Sequence, residues 1–190
     1  MKLTGRISPD RPLIVVALRE EAAYLDDRLP VLLTGIGKIN AATALTRALM
    51  SGPKPSVVIN LGTAGALRPG LAGAHEIGEV IQHDLDADLL CRMTGRQHAQ
   101  PIRLAGPGAV LATGDVFVSD EQARERLADR ADLVDMEGYA IAWAASVAGV
   151  PARLIKHVSD TAGDSASVTW PESVDRCAQD LAEWVSLNLV

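Results

Sequence analysis

The chain is punctuated by short apolar runs that end in glycine or in polar and acidic residues. Pro12-Leu13-Ile14-Val15-Val16-Ala17-Leu18, Pro30-Val31-Leu32-Leu33-Thr34 and Pro55-Ser56-Val57-Val58-Ile59-Asn60-Leu61 show little polar alternation, and each predicts a strand buried on both faces. Further strands are predicted at 78–82, 109–118 and 150–160, with a strand-like run at Leu133-Val134. Between them lie stretches of helical composition at 19–25, 41–49, 121–129 and 140–148. A final helix at 171–189 places Val174, Cys177, Leu181, Trp184, Val185 and Leu189 on one side. Residues 89–107 have no clear period and read as a connection. Strands alternating with helices predict an α/β fold, and 190 residues suit a single domain spanning 1–190.

Composition narrows the function classes. The chain is 48% hydrophobic but only 3% aromatic, so its core is built from Ala, Val, Leu and Ile. A net charge of -6 with scattered Lys and Arg argues against a nucleic-acid-binding surface and points to a small-molecule or protein ligand. Cys91 and Cys177 lack metal-like or redox-like spacing. The first ten residues are polar, and no apolar run is long enough to span a bilayer. The expectation is a cytoplasmic protein with no membrane contact.

The candidate chemistry sits where apolar runs end. Glu20 and Glu21 follow the first strand, at the position where open α/β sheets hold ligands. Gly35-Ile36-Gly37-Lys38-Ile39-Asn40 forms a glycine turn before a helix, a place where backbone N–H groups can face an anion. It is not a dinucleotide fingerprint, because Asn40 stands where the third glycine belongs. Gly62-Thr63-Ala64-Gly65 predicts close backbone approach to a ligand or a neighbouring element. Asp84, Asp86 and Asp88 would share one face of a strand, but the stretch lacks the glycine and terminal glutamate of a calcium loop, so no metal is assigned. Phe117, the single phenylalanine, is either core filler or a stacking surface for a planar ligand. Asp135 and Glu137 open a small-residue helix and read either as caps or as site carboxylates. Asp160 follows Ser159 at the end of the last strand.

Taken together, Ala17-Leu18-Arg19-Glu20-Glu21, Gly35-Ile36-Gly37-Lys38-Ile39-Asn40-Ala41-Ala42, Asn60-Leu61-Gly62-Thr63-Ala64-Gly65, Gly114-Asp115-Val116-Phe117-Val118, Val134-Asp135-Met136-Glu137 and Ser159-Asp160 resemble the nucleoside phosphorylase and nucleosidase superfamily. Within it the chain resembles the 5'-methylthioadenosine/S-adenosylhomocysteine nucleosidases. The motifs occur in the family's order along nearly the whole chain. Two departures are visible: the chain is short for the family between Asp88 and Gly108, and Leu18 replaces a common methionine.

The resemblance implies a three-layer sandwich with a mixed central sheet flanked by helices, no cofactor and a homodimer active in nucleoside catabolism and methionine salvage. It also implies residue roles. Glu21 would position or deprotonate the attacking water, and Asp160, beside Ser159, would protonate purine N7. Glu137 would accept from the ribose hydroxyls, with Met136 packed on the sugar. Phe117 would stack on the base while the Val118 backbone reads its edge. Thr63, Ala64 and Gly65 would line the substrate site, with Leu18 and Trp170 against the 5' substituent. One carboxyl donating a proton while another stays ionised suits cleavage of a glycosidic bond.

Superfamily phosphorylases carry phosphate-binding arginines where this chain has Arg19-Glu20-Glu21 and Asn60, so water is the expected nucleophile. The alternatives are phosphorolysis, hydrolysis of futalosine or adenosylhopane, and a non-catalytic purine-binding module.

Overall fold

The computed structural model describes residues 1–189. Nine strands and five helices occur in the order β1 (Lys2–Thr4), β2 (Leu13–Val16), β3 (Val31–Leu33), α1 (Lys38–Met50), β4 (Val58–Ala66), β5 (Ala74–Gln82), α2 (Ala87–Thr94), β6 (Ile102–Arg103), β7 (Ala109–Thr113), α3 (Glu121–Ala128), β8 (Leu133–Asp135), α4 (Gly138–Val147), β9 (Ala152–Asp160) and α5 (Ala166–Asn188).

The sheet is mixed. β2 lies parallel to β3 and β4, and β4 runs parallel to β9 but antiparallel to β8. β5 pairs with β6, β7 and β9, so β4, β8, β7, β5 and β9 close on themselves through successive pairings. The uninterrupted apolar strands are explained by layers on both faces. Leu13 and Val15 pack with α1 and α4, while Ile14 and Val16 pack with Leu181 and Val185 of α5.

Several expectations need correction. Residues 19–25 form only a 3₁₀ turn at Glu20–Ala22, and Glu21 turns inward to Leu18 and Thr63 rather than out from a surface helix. The close approach expected at Gly62-Thr63-Ala64-Gly65 is met within the second half of β4, which is held in register against Lys156, His157, Val158 and Asp160 of β9. Residues 89–107 are not featureless: α2 begins at Ala87, capped by Asp86 accepting from the Leu89 amide at 2.9 Å, and β6 follows. Asp84, Asp86 and Asp88 therefore lie on a turn and a helix start rather than along a strand. α5 starts five residues early and carries Pro171 in its first turns, which brings Trp170 onto the helix. The strand predicted at 109–118 ends at Thr113, leaving Phe117 on a loop.

Candidate active site

One pocket collects Leu18, Glu21, Thr63, Ala64, Gly65, Phe117, Val118, Met136, Glu137, Ser159, Asp160 and Trp170. Every site residue expected from the sequence is thus in one cavity. The pocket lies at the ends of β2, β8 and β9, with β4 beneath it.

Glu21 is 5% exposed, and three donors fix its carboxylate. Oε1 accepts from the Thr63 amide at 2.9 Å and the Thr63 hydroxyl at 3.1 Å, and Oε2 accepts from the Leu18 amide at 3.2 Å. Trp170 Nε1 donates to Thr63 Oγ1 at 3.0 Å, so the first turn of α5 is linked to Glu21 through one hydroxyl. Close glycine packing makes this possible: a Cβ on Gly62 would sit 3.2 Å from Glu21 Oε1 and 3.1 Å from Lys156 Nζ.

Asp160 Oδ2 accepts from Ser159 Oγ at 2.8 Å, and Oδ1 accepts from the Ala162 amide at 2.8 Å. Ala162 adopts a left-handed φ of 50°, a strained conformation for a residue with a side chain, and this turns its amide toward the acid. Gly65 leaves the room, since a Cβ there would meet Asp160 Oδ1 at 3.0 Å.

Asp135 and Glu137 both line the cavity but bond differently. Asp135 Oδ2 accepts from the Gly138 amide at 2.8 Å and so caps α4, while its Oδ1 accepts from the Thr113 hydroxyl at 2.6 Å. Glu137 makes no side-chain cap to its own helix. Its Oε1 instead accepts from the Gly37 amide at 2.7 Å, across 100 residues of sequence, leaving it in the cavity wall.

Lys156 is the group that sequence reasoning missed. A lysine directly after Leu154-Ile155, in the middle of a predicted strand, is the signal that could have found it. It is 1% exposed, and Nζ lies 2.8 Å from Asp135 Oδ2. Burial works against its ammonium, but Asp135, Glu137 and Glu21 outweigh that and hold its pKa above the ordinary lysine value. Glu137 moves in the unusual direction for a carboxylate. Burial, and then the charge of Asp135, push its pKa up to about 8 against the pull of Lys156 and the Gly37 amide. Three acids around one lysine leave the cluster short of positive charge, and Glu137 is the acid whose pKa is raised.

Ala17, Ile36, Val116, Val134 and Asp135 also line the pocket and were not assigned. Neither Arg nor Lys is among the described residues lining it. Asn60 does not face the cavity as a phosphate ligand would; its amide donates to Val15 O at 3.0 Å and to Leu61 O at 3.2 Å.

The sequence model of the phosphorylase superfamily matches residues 21–89 and 73–186. The chain belongs to this superfamily. Among superfamily relatives, the 5'-methylthioadenosine/S-adenosylhomocysteine nucleosidase of Staphylococcus carnosus is 31% identical, over 96% of this chain and 91% of its own length. The corresponding nucleosidase of Geobacillus thermodenitrificans is 28% identical, over 96% of this chain and 88% of its own. Two solved structures from Helicobacter pylori share the fold. A 5'-methylthioadenosine/S-adenosylhomocysteine nucleosidase superposes with a TM-score of 0.82 at 21% identity, covering 95% of this chain and 97% of its own. A futalosine hydrolase superposes with a TM-score of 0.81 at 21% identity, covering 93% and 96%.

Proposed function

We propose that the protein hydrolyses the N-glycosidic bond of an adenine nucleoside such as 5'-methylthioadenosine or S-adenosylhomocysteine, releasing the free base. The observation that carries this reading is the convergence of Glu21, Glu137 and Asp160 in one cavity with Phe117, Met136 and Trp170. Breaking the bond builds positive charge on the sugar and negative charge on the departing purine. Asp160 is assigned the proton delivered to N7, with Ser159 orienting its carboxyl. Glu21, held by donors that require an acceptor, is assigned the attacking water. Glu137 is assigned the ribose hydroxyls, Met136 the sugar face and Phe117 the purine face, with the Val118 backbone on the base edge. Leu18, Ile36, Val116 and Trp170 offer an apolar setting for the 5' group.

The absence of Arg and Lys among the described lining residues favours water over phosphate. The relatives' names support a place in nucleoside catabolism and methionine salvage. No helix of the described residues is long and apolar enough to cross a membrane; together with the free thiols Cys91 and Cys177, this favours the cytoplasm. A homodimer is the proposed assembly. Ile36, Val116 and Phe117 are 49%, 68% and 41% exposed at the pocket wall, and a second copy would cover them.

The test is a panel of purine nucleosides, futalosine among them, with and without phosphate, read by free base and combined with sedimentation for the dimer. Adenine release without phosphate is expected. Strict phosphate dependence, or cleavage of futalosine in preference to 5'-methylthioadenosine, would replace this reading.

A further inference from the structure

Outside the pocket, Lys38 joins three loops. It opens α1, where the helix dipole disfavours a cation, yet its side chain is only 15% exposed. Two carboxylates compensate. Nζ forms an ion pair with Asp84 Oδ2 and lies 3.4 Å from Asp115 Oδ2. Its backbone amide donates to Asp115 Oδ1 at 2.8 Å, capping a helix whose own Gly37 has no side chain to do so. Asp84 Oδ2 also accepts from the Asp115 amide at 2.9 Å, and Oδ1 accepts from Gln82 Nε2 at 3.2 Å. Lys38, Asp84 and Asp115 do not line the pocket, but they adjoin groups that shape it. Gly37 donates to Glu137, and Asp115 starts the loop that carries Val116, Phe117 and Val118.

We infer that Lys38, Asp84 and Asp115 act as a positioning triad, fixing the Gly37 amide on Glu137 and the Phe117 loop over the purine as one unit. The inference rests on the nucleosidase reading. Gly37 sets how close the two parts come: with φ at 92° it takes a conformation open to glycine, and a Cβ there would lie 3.1 Å from Asp115 Oδ1. Without the ammonium, Asp84 and Asp115 repel and the two loops separate.

The experiment compares the full chain with Lys38→Met, Lys38→Arg and Asp84→Asn. Each is assayed on 5'-methylthioadenosine and its 3'-deoxy analogue, with adenine affinity measured by calorimetry. Lys38→Met is expected to lower kcat/KM about 10- to 100-fold on the full substrate. The loss should be smaller on the 3'-deoxy analogue, which lacks a hydroxyl for Glu137, and Lys38→Arg should recover part of it. Adenine affinity should fall about fivefold. Asp84→Asn, which preserves size, should show the same pattern if Lys38→Met does not fold. Kinetics within about twofold of the parent, or equal losses on both substrates, would overturn the triad. An inactive parent chain would instead overturn the nucleosidase reading, and adenine affinity would still test the triad.

Discussion

The ammonium of Lys156 lies 2.8 Å from the Asp135 carboxylate, with both side chains almost wholly out of water. The pair connects β9, which carries Asp160, to the end of β8, two residues before Glu137. Lys156→Met leaves Asp135, Glu137 and Glu21 without their counter-charge, and removing one partner of a buried pair costs about 3–5 kcal/mol. Urea denaturation should show a loss of that size, and the double variant Lys156→Met with Asp135→Asn should lose less than Lys156→Met alone. Strictly additive losses would mean that the pair carries no coupling.

Glu137 links stability to pH with an uncommon sign. Its pKa in the folded chain, about 8, stands above the ordinary 4.5. The carboxyl therefore favours the folded state fully below pH 4.5, and this contribution declines as pH rises toward 8. Glu137→Gln removes the decline. Its Tm relative to the parent should rise by a few degrees between pH 5 and pH 8 while cleavage is lost. Parallel Tm curves for the two proteins would show that Glu137 does not hold the proton.

Asp160→Asn separates catalysis from binding. The amide keeps the size and one oxygen acceptor but cannot deliver a proton to the base. Turnover is expected to fall about 10²- to 10⁴-fold, while the affinity for a non-hydrolysable adenine nucleoside analogue changes little. Unchanged turnover would remove Asp160 from the chemistry.

Gly65→Ala tests how tightly β4 is built against the acid. The added methyl would start 2.9 Å from Ala162 Cβ and 3.0 Å from Asp160 Oδ1, so the Asp160 turn must move. A fall in kcat of about 10- to 100-fold is expected, along with about 1–3 kcal/mol of stability from overpacking. Parent-like kinetics would show that the turn can shift without harm to the site.

The strands were legible where burial on both faces leaves an unbroken apolar run, as at Leu13–Val16. The motif residues were legible because they sit at the ends of such runs. What stayed hidden depends on contacts distant in sequence. Whether 19–25 becomes a helix is decided by the pull of Thr63 and Leu18 amides on Glu21, which keeps only a single turn. Glycines that would mark a turn in isolation are strand residues here, because β9 needs the space they leave. The roles of Asp135 and Glu137 could not be divided from spacing alone. Gly37, which decides the matter for Glu137, is 100 positions away. Lys156 was overlooked because a lone lysine in a strand usually points to solvent.

β4 continues through Gly65 and Ala66 with partners on both sides, whereas Leu18, Ile36, Val116 and Trp170 stand on a turn, two loops and a helix end. Amide hydrogen exchange should accordingly be slowest beneath Glu21 and Asp160 and fastest around Leu18, Ile36, Val116 and Trp170. Inheritance can act on these two zones separately: side chains at the rim can be exchanged to admit a different ligand while the carboxylates below are passed on unaltered.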